Sequence, residues 1–583
     1  MKILGKLDPR SATALVLFAG WSASNMAFSP THLKAGNTES YPHFYHEIQM
    51  NPKPPRLYTV NKASGDSQKY LGEEGKNNAA YPKATKNGPS LLRNDQACRL
   101  WHKFLADRSF RTFGAQICVG LELSTPLAYA SPEHAALTRL LAAYLTAAPL
   151  PFGDQSKSEE ADYKMVLDLR PSVQGLKITL ECSTKKSLEI LTVFGHQLAV
   201  LPEMISKPTF EAVRQEVLES LCQSNSLRAN LDRVTEQTLT HPCHFIQELR
   251  AFLLSERCEP GRLVAFTRSF THNVFLEALV VGGLSEVRAS KLVQAFWAAL
   301  RARPLSDVAR HSIFRQQVLD LPVGCTQTRQ ISSVPVGSKP RSSGNAVEIY
   351  LQVGPQEGTP LQDALLDLLA EVLKDQPPPS KGKKFIAFTR RLHGVQGFSF
   401  CLEDHNLSCN ELEDILEKWS LDFRQSGLQA LQNDDFLRYK QSILSSKYSA
   451  RSFQSKFKRY WKEICMKTYH FERPNKEVIG LKLVEKNVLM RFWDEYICLN
   501  AQSRRKLLAT VEKDTVKQEL EGTVSNPYGL VILESSGQIL STKEDLKEFW
   551  SRIRKITPPS PQNELADELI FADPLDFRID ELV

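Results

Sequence analysis

Apolar and polar positions along this chain keep a regular rhythm in two long blocks and lose it between them. The first block opens on Ile117-Cys118-Val119-Gly120-Leu121-Glu122-Leu123, a short apolar run that predicts a strand. Ser131 then offers an N-cap hydroxyl with Pro132 at the first helical position. Leu137, Leu140, Leu141 and Tyr144 follow at helical spacing. The second block opens on Val347, Ile349, Leu351 and Val353 alternating with Glu348, Tyr350 and Gln352, which predicts a half-buried strand. Thr359-Pro360-Leu361-Gln362 predicts a capped helix start, with Leu361, Leu365, Leu368 and Val372 on one face.

The blocks repeat each other. Gly175-Leu176-Lys177-Ile178-Thr179-Leu180-Glu181 has a counterpart in Gly397-Phe398-Ser399-Phe400-Cys401-Leu402-Glu403. Phe210, Arg214, Val217 and Leu218 match Phe436, Lys440, Ile443 and Leu444 at a constant offset. Each block reads strand, helix, strand, strand, then several helices. That order predicts an α+β fold of two tandem duplicated domains, each a mixed sheet with helices on one face. Any one match arises readily by chance between amphipathic segments; several in the same order favour duplication. The predicted boundaries are 98–310 and 345–512, with a linker at 311–344. A polar arm is predicted at 23–97, a separate short segment at 1–22 and an extension at 513–583.

Composition narrows the function classes. Lys and Arg total 73 against 66 Asp and Glu, a net charge of +7. Residues 1–98 hold 12 basic and 7 acidic side chains, so +5 of that +7 sits there and the body is nearly balanced. A balanced body argues against nucleic acid as a partner. No stretch reaches the roughly 18 apolar residues of a membrane span. The 11 cysteines, without a CxxC pair, read as isolated thiols of a reducing compartment, which favours the cytoplasm. The run Ala14-Leu15-Val16-Leu17-Phe18-Ala19 reads either as a buried strand or as a secretory signal core.

Catalytic signatures are sparse. The 583 residues contain no HxxEH, HExxH, GxSxG or GxxxxGK[ST] pattern. His43 and His46 with Glu47, and His241-Pro242-Cys243-His244 with Glu248, are the nearest approaches to a metal set. A chance pairing in a polar arm and a surface turn are the competing readings. Gly282-Gly283, between an apolar run and a helix start, reads as a tight turn or as N–H groups facing an anion. Phe453, Phe457, Tyr460, Trp461 and Ile464 mark one buried helical face.

Several of these segments resemble the insulinase/pitrilysin-type zinc metallopeptidases. Ser124-Thr125-Pro126-Leu127-Ala128-Tyr129-Ala130-Ser131-Pro132 is similar to the start of their third domain. Val347-Glu348-Ile349-Tyr350-Leu351-Gln352 is similar to the first strand of their fourth. Arg390 to Phe398, Tyr460-Trp461-Lys462-Glu463-Ile464, Tyr469 to Arg473, Glu477-Val478 and Phe492 keep the family's order, so the resemblance covers 98–512. Leu7-Asp8-Pro9, His43-Phe44-Tyr45 and Asn51-Pro52 are similar to the end of the second domain and its linker.

The resemblance implies a half-chamber that encloses peptides, with zinc held by a first domain on an inverted HxxEH helix. No such ligands occur here, so no metal or other cofactor is expected on this chain, and the chain alone is expected to be inactive. The family's fourth domain also implies an Arg and a Tyr reaching substrate. Phe385 falls at the Tyr position (Lys383 in an ungapped match), and Asp375-Gln376-Pro377-Pro378-Pro379 holds no Arg. The substrate-binding residues implied by the resemblance are Phe385, Arg390, Arg391, Gly394 and Gln396. The charges Lys381, Lys383, Lys384, Arg390 and Arg391 read as a solvated loop or as a surface attracting acidic peptides. Three functions remain open: a non-catalytic peptide-binding half, the C-terminal part of an active zinc metalloendopeptidase whose catalytic half is a partner or lies outside this sequence, and a structural subunit.

Overall fold

The computed structural model describes residues 88–105, 116–147, 165–222, 226–324, 326–332, 344–355, 360–378, 384–449 and 452–512, with short pieces at 531–533, 539–540, 548, 551 and 555–556. The segment 1–22, the apolar run at 14–19 and the helix cap at Thr359 lie outside the described residues.

The first sheet is built from β1 (Ser90–Asn94), β2 (Cys98–Phe104), β3 (Gln116–Ser124), β4 (Val166–Pro171), β5 (Gly175–Ser183) and β6 (Asn273–Gly282). Its order is β1-β2-β6-β3-β5-β4. The second sheet is built from β7 (Thr326–Ser332), β8 (Asn345–Pro355), β9 (Lys384–Leu392), β10 (Val395–Asp404), β11 (Lys506–Glu512), β12 (Val531–Leu533) and β13 (Ile539–Leu540). Its order is β9-β10-β8-β11-β7-β12-β13. The five strands β2-β6-β3-β5-β4 and β7-β11-β8-β10-β9 have the same pairing. The first pair is parallel and the other three antiparallel in both sheets. Gly175 pairs with Ser124 and Gly397 with Gln352, so the two glycines fall on equivalent strands, Gly175 opening β5 and Gly397 standing third in β10. At Gly175, φ is +155° and an added Cβ would lie 1.9 Å from the Leu123 carbonyl oxygen, so no larger residue fits.

Helices cover one face of each sheet, as the apolar spacing predicts. In the first domain they are α1 (Pro132–Ala147), α2 (Ser187–Met204), α3 (Lys207–Cys222), α4 (Leu227–Leu239), α5 (Ile246–Leu254), α6 (Pro260–His272) and α7 (Glu286–Leu300). The Ser131 hydroxyl accepts from the His134 N–H at 3.2 Å, which starts α1 where the sequence places it. Ile117, Val119, Leu121 and Leu123 meet Leu137, Leu141, Phe194 and Phe296 in one core. The second domain contributes α8 (Pro360–Asp375), α9 (Cys409–Phe423), α10 (Asn433–Ser449), α11 (Phe453–Cys465), α12 (Arg473–Leu483) and α13 (Lys486–Phe492). Here Val347, Ile349 and Leu351 pack on Leu365, Leu368, Val372 and Phe400.

The opposite faces are covered by exchange. Helix α11 of the second domain lays Phe453, Phe457, Tyr460, Trp461 and Ile464 on Trp101, Cys118, Leu279 and Val281 of the first sheet. Helix α4 of the first domain lays Leu227, Leu231 and Val234 on Ala346, Cys401, Ala509 and Val511 of the second. The aromatic series is therefore a core face, and the core it joins belongs to the other domain.

This exchange corrects one expectation. Strand β8 is buried on both faces, Glu348 and Tyr350 included. Thr235 of α4 donates to Glu348 at 2.9 Å, and Gln352 pairs with the main chain of Leu319 and Leu321. The boundaries shift as well: β1 lies inside the predicted arm, β7 inside the predicted linker, and β12 inside the predicted extension. β7 is polar, β1 mixes polar and apolar residues in five positions, and β12 is only three residues long, so periodicity alone does not mark them. No single described helix is long and apolar enough to cross a membrane.

Candidate functional site

The hairpin β9–β10 carries the residues that the family resemblance singles out. Its turn is two residues long, with φ of +40° at His393 and +82° at Gly394 between paired Leu392 and Val395. Positive φ at both positions is the geometry of a tight hairpin, which glycine accepts readily. Phe385 is half-buried against Phe400 and Trp419, its ring centroid 5.2 Å from the indole. Strand alternation sends Arg390 and Arg391 to opposite faces.

Neither guanidinium is available as a solvated charge. Arg390 donates to Glu348 Oε1 and Asp232 Oδ1, both at 2.6 Å, tying β9 to α4 of the first domain. Burial opposes its charge, but Glu348 and Asp232 more than offset that and hold its pKa above the ordinary arginine range. Arg391 donates to Asp363 at 3.0 Å and Asp367 at 2.9 Å on α8. Gln396, its cross-strand partner, donates to Asp363 at 2.5 Å. The reading of Arg390 and Arg391 as a peptide-attracting pair is thus corrected: their charge is compensated inside the protein. Lys384 is exposed, 3.9 Å from Glu403, whereas Lys381 and Lys383 lie outside the described residues.

A stability test follows. Arg390→Glu would set a third carboxylate beside Glu348 and Asp232, and a loss of about 3–5 kcal/mol is expected. Lys384→Glu is expected to stay within about 0.5 kcal/mol of the parent. Urea unfolding of both variants checks this; equal stability of the two would place Arg390 in solvent after all.

Where the two domains meet, a second constellation forms. Glu122 on β3 and Glu277 on β6 are fully buried in the first sheet. Lys467, just beyond α11, donates to Glu122 at 2.7 Å and to Glu277 at 2.6 Å. Glu277 also accepts from the Tyr469 hydroxyl at 2.8 Å and from Arg99 at 3.4 Å. Burial alone would raise the Glu277 pKa, but Lys467 and Arg99 bring it down to about 2. Lys177 on β5 reaches within 3.7 Å of Glu122. Above these groups lies a cleft between the hairpin turns Ser172–Gln174 and His393.

His393 is half-buried there. Burial, with Lys177 beside it, lowers its pKa to about 4, against an ordinary value of about 6.5. Its folded form is neutral, so the unfolded chain takes up the proton first as pH falls. Stability is expected to decline between about 6.5 and 4, and His393→Gln to flatten that slope. An unchanged slope in the variant would contradict the burial of the ring.

The remaining motifs resolve into local structure. His244 bonds the Tyr129 hydroxyl and carbonyl, and Glu248 accepts from the Phe245 N–H at the start of α5. Gly282 is a tight turn: an added Cβ would stand 2.5 Å from the Gln116 carbonyl oxygen. Among the described residues no group of three or more His, Cys, Asp or Glu could hold a metal. His43 and His46 lie outside them. Lys467, Lys177, Glu122 and Glu277 were not singled out by sequence. The available signal was an acid inside each of two apolar strand runs, which marks a buried pair.

Comparison with known proteins agrees with this architecture. The family model described as the middle or third domain of peptidase_M16 matches residues 74–251. Mouse insulin-degrading enzyme is 22% identical over 440 residues, 72% of this chain and 40% of its own length. An Arabidopsis thaliana nardilysin-like protein is 23% identical over 365 residues, 58% of this chain and 35% of its own length. This chain thus spans less than half the length of the curated relatives it matches. The crystal structure of pitrilysin shares its fold with a TM-score of 0.62 at 14% identity, over 82% of this chain and 47% of that one. A Helicobacter pylori protease gives a TM-score of 0.52 at 13% identity, over 73% of this chain and 98% of that one.

Proposed function

Because this chain is an insulinase/pitrilysin-type C-terminal half, we propose that it serves as a non-catalytic wall that encloses peptides and supplies no metal ligand. The observation that carries this reading is the placement of Phe385. At the position where the family resemblance implies a substrate-facing Tyr, the ring is packed on Trp419 and Phe400 and has no hydroxyl to stabilise an oxyanion. The exchanged helices support the reading, since α4 and α11 lock two domains into one unit. Mouse insulin-degrading enzyme and pitrilysin carry peptidase names; the corresponding activity here would need a zinc-bearing half as partner, on the same or another polypeptide.

Titration of the purified chain with unstructured peptides, followed by calorimetry, tests the proposal. Saturable binding is expected. A chain that binds no peptide but co-purifies in stoichiometric complex with another protein would instead be a docking subunit.

A further inference from the structure

We propose that the acidic segment 564–583 docks on the outer face of α10 and α12. Leu437 on α10 and Ile479 and Leu483 on α12 are each more than half exposed. Ile479 and Leu483 stand one helical turn apart and share a face. Lys440, one turn beyond Leu437, donates to the carbonyls of Lys482 at 3.1 Å and Val484 at 2.9 Å, which sets Leu437 beside the end of α12 that carries Leu483. A lone exposed apolar side chain is ordinary; three grouped on two tied helices mark a contact surface. Lysines surround them. Lys476 and Lys482 are exposed on α12, and Lys486 of α13 donates to the carbonyls of Gln429 at 2.8 Å and Leu431 at 2.5 Å, just ahead of α10. None of these four lysines forms an ion pair among the described residues, and Glu485 is the acid beside Lys440. The segment 564–583 is the complement: seven acidic side chains against Arg578 alone, interleaved with Leu565, Leu569, Phe571, Leu575 and Phe577. Ile556 pairs with Val318, and 27 residues follow it. Extended, they span roughly 90 Å, well beyond the radius of one domain. Apolar contact supplies the attraction and the lysines select an acidic occupant.

Photo-crosslinking in the full chain tests this, with p-benzoylphenylalanine in place of Phe571 and the products mapped by mass spectrometry. Cross-links within one chain are expected to concentrate between residues 433 and 492. They are expected to fall at least fivefold when Ile479→Asp and Leu483→Asp are combined. Lys476→Glu with Lys482→Glu, or a rise in salt from 0.05 to 0.5 M, is expected to weaken them several-fold, because salt screens exposed charge. A second measurement leaves every described residue in place: Leu569→Asp with Phe571→Asp is expected to raise deuterium uptake across 473–483. Cross-links scattered over the chain, or unmoved by Ile479→Asp with Leu483→Asp, overturn the docking, as does unchanged uptake in the Leu569→Asp, Phe571→Asp variant. Cross-links found only between two chains also overturn it, and give the face to a second copy instead.

Discussion

Lys467→Met is expected to lower the stability of the two-domain unit by about 3–5 kcal/mol, among the largest effects of any single charge removal here. The ammonium bridges Glu122 and Glu277, neither of which is exposed to water. Its removal leaves two carboxylates in the first sheet with Arg99 and Lys177 as incomplete compensation. Adding Glu122→Gln and Glu277→Gln to Lys467→Met is expected to recover part of the loss, because unpaired charge rather than lost attraction dominates the cost. Acid reports the same cluster. Glu277 has its folded pKa depressed to about 2, so its contribution is present above the unfolded value of about 4.3 and fades as pH falls towards 2. Urea unfolding between pH 2 and 7 measures both effects; a variant as stable as the parent would show that water reaches the cluster.

Trp461→Ala is expected to cost about 3–5 kcal/mol, since a large buried ring leaves a cavity. The indole of α11 lies directly on the main chain of β3, and a Cβ built on Gly120 would stand 2.6 Å from the ring. Only glycine lets the second domain's helix approach the first domain's sheet this closely. Gly120→Ala should therefore destabilise by about 1–3 kcal/mol through overpacking. Combined with Trp461→Phe, its cost should shrink, because the smaller ring yields the space. Additive losses in the double variant, measured by denaturant unfolding, would show that the two residues do not touch.

The fold was legible in the sequence where a helix or strand buries one face of its own domain. Leu137, Leu141, Leu365, Leu368 and Val372 sit in the cores their spacing predicts. What spacing does not encode is which sheet a helix covers. Phe457 and Trp461 announce a buried face, but the first-sheet residues that receive them, from Trp101 to Val281, lie 176 to 360 residues away in sequence. The same limit explains β8: alternation of Val347 with Glu348 and Tyr350 looks half-exposed until α4 arrives from the other domain. The basic hairpin shows the limit for charge. Arg390 and Arg391 are adjacent in sequence, yet the strand pleat sends them to different elements, each already supplied with carboxylates. Counting charges along the chain records their sum and not their partners.

We propose that these 583 residues enclose peptides without cleaving them. A metal-bound water ionising near pH 7 is the nucleophile that zinc peptidases depend on, and it requires ligands to hold the ion. The deciding measurement is peptide cleavage by the purified chain with and without chelator, alongside its zinc content. No stoichiometric zinc and no chelator-sensitive cleavage are expected. Chelator-sensitive cleavage abolished by His43→Ala or His46→Ala would contradict it.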